Sequence, residues 1–247
     1  MLGLQQPAVL ADTPGAASGP LAALDLGHPS IARLWTTGIV EARAYLVQDL
    51  VAAESLDIVL RDHGPSPLGE VVRVATSLAA ALDRAAAAGV VHGALHPRDV
   101  LVGPENVRLT GLGVALALER TGIATAVRRP YTAPERLAGA PWDRRADIFS
   151  LAAVMYEMIS GKRVTATGRQ AAGALAEAAG DAAGLGQVIA RALADDAQAR
   201  FESAGAFAEA LASAVNCRPE GEALRRSRTS VPAQKPVRSA AQQRPPA

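Results

Sequence analysis

Hydrophobic and polar positions along the chain change period more than once. After a leader rich in Gly, Pro, Ala and Gln at residues 1–20, residues 21–26 suit the end of a helix. Two β-rich runs follow at 31–37 and 44–47, separated by 38–43, a pattern that predicts an antiparallel hairpin with a longer loop. The period then becomes helical. Ser66 and Pro67 supply an N-cap and a first-turn proline, and Glu70 places negative charge in the first turn. Val71, Val74, Leu78 and Leu82 recur at helical spacing up to Gly89, a suitable stop. Runs at 100–102 and 107–109 flank Gly103-Pro104-Glu105-Asn106, a turn composition. Asp143 opens an apolar helix that reaches Ser160 and closes at Gly161, and further helices fit 182–194 and 203–215. A small β portion followed by a mainly helical body is an α+β pattern.

Composition adds three constraints. Residues 217–247 carry seven Lys/Arg against two Asp/Glu, whereas the remainder has eighteen against twenty-two. A basic, Pro/Gln/Ser-rich tail without apolar periodicity is expected to be disordered. It could touch acidic partners or anionic lipid, or be a solvated terminus or linker. Cys217 is the only cysteine, which excludes disulfides within the chain and cysteine-rich zinc sites. The longest apolar stretch, 148–159, is interrupted by Ser150 and Glu157 and is too short to span a bilayer. No basic-then-apolar leader opens the chain. These features lead to an expectation of a cytoplasmic protein with no transmembrane segment and no nucleic-acid partner.

Several separated motifs, in register, carry a resemblance. His28-Pro29-Ser30-Ile31 is followed by Tyr45-Leu46-Val47-Gln48-Asp49-Leu50, then by the run from Val91-His92-Gly93-Ala94 through His96-Pro97-Arg98-Asp99 to Leu101. Leu109-Thr110-Gly111-Leu112-Gly113, Tyr131-Thr132-Ala133-Pro134-Glu135, Ala146-Asp147-Ile148-Phe149-Ser150-Leu151 and Arg191-Ala192-Leu193 with Arg200-Phe201 complete the set. In this order they resemble the protein kinase superfamily, and within it the bacterial Ser/Thr branch. The implied architecture is a protein kinase-like fold, a mainly helical C-lobe with a truncated β N-lobe. Its expected divisions are a disordered leader (1–20), an N-lobe remnant of helix end, two strands and hinge (21–50), the C-lobe (51–216) and the tail (217–247).

The resemblance also implies which chemistry is altered. Phosphoryl transfer needs a carboxylate that orients the attacking hydroxyl and cations that neutralise phosphate charge. The catalytic-loop aspartate falls at Ala94 and the metal-binding aspartate at Gly111, while the loop asparagine falls at Asp99, whose carboxylate still offers oxygen. The loop lysine falls at His96, and the arginine that anchors an activating phosphate falls at Gly93. The small lobe normally adds a Gly-rich loop and a lysine. Here no lysine precedes Lys162, and about 20 residues precede the helix remnant. No bound nucleotide or metal is therefore expected, ATP and magnesium entering only if a substituted mechanism operates.

Scaffold positions match better. His92 is expected to pack beneath the metal loop, Leu112 to act as an apolar plug, Asp147 to accept from the catalytic-loop backbone, and Glu135 and Arg200 to form a buried pair. Tyr156 is expected in the central helix's packing and Glu157 on its exposed face. Thr121, Thr125 and Thr132 are expected to be ordinary loop hydroxyls. The expected function is a pseudokinase acting as an interaction or regulatory module, with a protein partner or second copy covering the surface near 31–50. The alternatives are a Ser/Thr kinase using a substituted mechanism and a truncated kinase reading frame.

Overall fold

The computed structural model describes residues 26–41, 43–120, 124–179 and 183–216. The leader, the helix end up to residue 25, Thr121 and the tail lie outside the described residues. β1 (Leu34–Val40) and β2 (Arg43–Gln48) pair antiparallel, Leu34 opposite Gln48 and Val40 opposite Arg43. The long loop expected at 38–43 is corrected here. The first strand continues to Val40, because pairing across the hairpin satisfies backbone groups that composition alone assigns to a loop.

Residues 30–32 leave the hairpin and run beside β5 (Val107–Leu109). Leu109 N–H donates to Ser30 O at 2.8 Å, and Ala32 N–H donates to Leu109 O at 2.9 Å. β5 pairs with β4 (Val100–Val102), and β4 with β3 (Glu54–Ser55), giving a three-stranded sheet in the order β3-β4-β5.

The helices are α1 (Leu56–His63), α2 (Leu68–Ala87), α3 (Val114–Arg120), α4 (Pro134–Leu137), α5 (Arg144–Ser160), α6 (Gly168–Ala179), α7 (Ala183–Ala192) and α8 (Ala204–Asn216). α2 starts after Pro67 rather than at it, since Pro67 is the cap and the Ser66 N–H is taken by Met158 O at 2.7 Å. Its stripe of Val71, Val74, Leu78 and Leu82 is buried against α5 and α8. α5 is covered on nearly every side, so it is the axis of the helical body. Asp143 caps its start by accepting from Arg145 N–H at 2.8 Å, and Gly161 ends it at φ +69°, where a side chain would be strained. Asp83 of α2 supplies α8's cap from outside, accepting from the N–H groups of Ala204 (2.9 Å) and Gly205 (2.8 Å). Among the described residues, no helix is long and apolar enough to cross a membrane.

Candidate functional site

The polar loop between α2 and β4 is held from below by one carboxylate. Asp147, in the first turn of α5, accepts from His92 N–H and Gly93 N–H, each at 2.7 Å, and is 3% exposed. Burial pushes its carboxyl above the ordinary range, against the pull of His92 and the two backbone bonds. His92 is buried as well. Its Nδ1 lies 3.4 Å from Ala94 N, which donates to it, so Nε2 carries the ring proton and donates to Thr110 O at 2.9 Å. His92 thus ties the loop to the residue preceding Gly111. Leu112 lies partly buried against the core, beside a cavity of about 400 Å³ that Leu26, Ile31, Leu46 and Val90 also line.

Asp99 ends the 3-10 turn Pro97–Asp99, with Thr110 N–H and Oγ1–H both donating to its main-chain carbonyl, at 2.9 and 3.1 Å. Its carboxylate Oδ2 lies 3.9 Å from His92 Nε2 and 2.7 Å from Arg128 Nη1. Arg128 Nη1 also lies 3.4 Å from Ala94 O, so one guanidinium spans positions 94 and 99. Ala94 presents only a methyl group to this space. Gly111 presents no side chain, and its φ of +77° belongs to the left-handed region. Arg98 turns elsewhere, donating to Asp57 Oδ2 at 3.1 Å.

Gly93, also left-handed at φ +71°, lies directly under Trp142. A Cβ there would stand 2.5 Å from Trp142 Cη2. Arg136 stacks on the indole, its guanidinium carbon 4.0 Å from the ring centre. Arg136 Nη2 donates to Glu119 Oε1 at 2.7 Å and to Thr125 Oγ1 at 2.8 Å, and Thr125 donates to Glu119 at 2.6 Å. Burial pulls the Glu119 carboxyl upward, but the bonds from Arg136 and Thr125 prevail and hold it below the ordinary range. Arg136 Nε is buried without a hydrogen-bond partner, so the indole face is its remaining compensation. None of these four partners carries a sequence motif. The signal that could have found them is Gly93 itself, since a residue without a side chain leaves room that a neighbour must fill.

Two further links fasten the segment after Arg128. Arg200, its side chain fully buried, donates from Nη1 and Nη2 to the two oxygens of Glu135, both at 2.7 Å. It also donates to the carbonyls of Arg145 and Ala194, at 2.9 Å each. Tyr131 OH donates to Glu157. Burial, then Glu157's charge, push the Tyr131 hydroxyl well above its ordinary value. Glu157 is therefore a covered acceptor rather than the exposed residue expected, because α5 has little open face. Tyr156 is buried. His96 packs edge-on to Tyr131 with ring centroids 4.6 Å apart, and burial lowers its pKa. Thr125 and Thr132 are bonded groups and not loose hydroxyls, Thr132 Oγ1 accepting from Arg128 N–H at 2.9 Å.

Asp99 supplies the side-chain carboxylate oxygens of this loop. Oδ2 already faces a guanidinium, position 111 offers no side-chain oxygen, and position 94 offers main chain only. Among the described residues, no group of three His, Cys, Asp or Glu side chains could hold a metal ion.

The protein kinase domain family matches residues 21–200. The chain is 33% identical over 215 residues to the serine/threonine-protein kinase PknJ of Mycobacterium tuberculosis, covering 78% of this chain and 36% of that protein. It is 34% identical over 149 residues to the serine/threonine-protein kinase PknA of the same species, covering 56% of this chain and 34% of PknA. The chain thus spans about a third of the length of these relatives. Among solved structures, the kinase domain of M. tuberculosis PknI superposes with a TM-score of 0.67 at 28% identity, over 81% of this chain and 76% of that one.

Proposed function

The chain belongs to the protein kinase family, and within it we propose that this member is a pseudokinase, working as an interaction or regulatory module rather than as a phosphotransferase. The observation that carries the reading is the contrast within one loop. Its supports, Asp147 and His92, are fully bonded, while Ala94 and Gly111 bring neither a proton acceptor nor an oxygen ligand to the space those supports frame. A transition state that spreads negative charge needs positioned cations and a base, and the only side-chain carboxylate facing this space from the loop is Asp99, already neutralised by Arg128. Trp35, Val40, Val47 and Leu50 are exposed on and just after the hairpin. They are the apolar surface such a module would offer to a protein partner or a second copy.

Thermal unfolding with millimolar ATP, with and without magnesium or manganese, tests the reading. A ligand that binds the native state raises its melting temperature by linkage, so no shift is expected here. A second reading, a Ser/Thr kinase that uses Asp99 in a substituted mechanism, is favoured by that retained carboxylate and by the names of the relatives. A metal-dependent shift accompanied by transfer of phosphate to a protein substrate would establish it and overturn the first.

A further inference from the structure

We propose that Arg128 is an internal substitute for a metal ion: its guanidinium occupies the cation position beside Asp99, pins the segment that carries it over the catalytic loop, and competes with divalent cations for that one carboxylate. The proposal goes beyond the pseudokinase reading and does not depend on it, because it concerns what neutralises Asp99 whether or not nucleotide binds.

Four observations converge. First, the charges around Asp99 are assigned. Its carboxylate is 16% exposed, Arg128 Nη1 is 2.7 Å from Oδ2, and His92 Nε2, at 3.9 Å, is committed to Thr110 O. The neighbouring cation, Arg98, is committed to Asp57, and Asp57 is bonded in turn by Ser55. Arg128 is thus the cation in contact with Asp99. Second, the guanidinium reaches Ala94 O as well. It therefore bridges positions 94 and 99 of the same loop.

Third, backbone bonds at Arg128 aim its side chain at the loop. Its N–H donates to Thr132 Oγ1, and its carbonyl accepts from the N–H groups of Tyr131 and Thr132, at 2.9 and 3.2 Å. Tyr131 is bonded onward to α5 by its hydroxyl to Glu157 and by its carbonyl, which accepts from Ser150. The turn presents the side chain, and the contact with Asp99 closes it onto the loop. Fourth, the Arg128 side chain is 41% exposed, in contrast to the fully buried Arg200. Arg200 is part of the core, whereas Arg128 sits at the surface, where a competing cation can displace it. A divalent ion would have to displace a charge-assisted hydrogen bond while finding a single carboxylate, so the wild-type site should be weak.

The test is manganese binding, read as free ion by electron paramagnetic resonance, on the full chain as wild type, Arg128→Ala, Asp99→Asn and the double variant. Amide hydrogen exchange over residues 126–132 is measured on the same four proteins. Arg128→Ala is expected to bind one manganese at least about fivefold more tightly than wild type, the lower end of ordinary coupling between ligands. Adding Asp99→Asn should abolish that gain. Both single variants should speed exchange of the segment, and the double variant should be no faster than either. Equal manganese affinity in wild type and Arg128→Ala, or additive effects on exchange, would overturn the proposal. Arg128→Gln, which keeps the stem and a polar end without charge, repeats the test should the alanine variant fold poorly. Failure of the ATP experiment above leaves these outcomes unaffected, since no nucleotide is present.

Discussion

Gly93→Ala is a one-methyl probe of how the loop closed over the missing side chain. At φ +71°, alanine carries a left-handed backbone penalty of about 1–2 kcal/mol. Its Cβ would also stand 2.5 Å from Trp142 Cη2, 2.9 Å from Cζ3 and 3.3 Å from Arg136 Nη1. Carbon pairs prefer about 3.5–4.0 Å, so the ring must retreat by about 1 Å, and the Arg136 guanidinium stacks against that ring. That guanidinium is itself fixed by Glu119 and Thr125. Overpacking of this kind costs about 1–3 kcal/mol, bringing the expected total to about 2–5 kcal/mol. In a Trp142→Leu background the clash with the indole is removed, leaving the backbone part and the contact with Arg136. The two substitutions should therefore couple by about 1–3 kcal/mol. Urea unfolding followed by far-ultraviolet circular dichroism measures all four proteins without relying on the deleted indole. An equal cost for Gly93→Ala in both backgrounds, or a wild-type cost below about 1 kcal/mol, would refute the account.

Two other outcomes follow from the bonding. Glu135→Gln leaves the guanidinium of Arg200 buried beside a neutral amide; it should cost about 3–5 kcal/mol and lower the melting temperature by roughly 2–4 °C per kcal/mol, and a loss under 1 °C by calorimetry would contradict the pairing. Burial lowers the pKa of both His28 and His96 from the ordinary 6.5, helped at His28 by Arg84 and, at His96, by Arg128 and Arg98 against the opposing charge of Asp99. The unfolded chain then binds protons first, so stability should be full above 6.5 and drain as pH falls through the folded values. Replacing both residues by Gln should flatten the stability profile between about pH 7 and 5, and an unchanged slope would count against the burial argument.

The fold was legible where periodicity or punctuation is strong. The α2 stripe, the Asp143 and Gly161 boundaries of α5 and the turn at Gly103–Asn106 each depend on local chemistry that a short window contains. α3 and α4, with seven and four residues, are too short to show a helical period, and Glu157 looks exposed until α5 is found to be enclosed. The site divides in the same way. Motif positions such as Asp147, His92 and Asp99 sit in recognisable strings, so a resemblance can locate them. Arg128 and Trp142 lie in stretches without period, and what they do depends on partners distant in sequence. The reach of Arg128 to Asp99 depends on the turn held by Thr132, which no window of sequence displays.

The Asp83 cap on α8 has a consequence in time. It joins residues 121 positions apart, so while the chain is being synthesised α2 emerges long before the helix that covers it. At about 5–20 residues per second, the apolar face of Leu78 and Leu82 waits roughly 6–24 seconds for α8, and Asp83 waits with it for the two amides it will hold. During that interval the nascent chain exposes an adhesive face, and a carboxylate at the end of the uncovered stripe keeps one edge of it hydrated until α8 arrives.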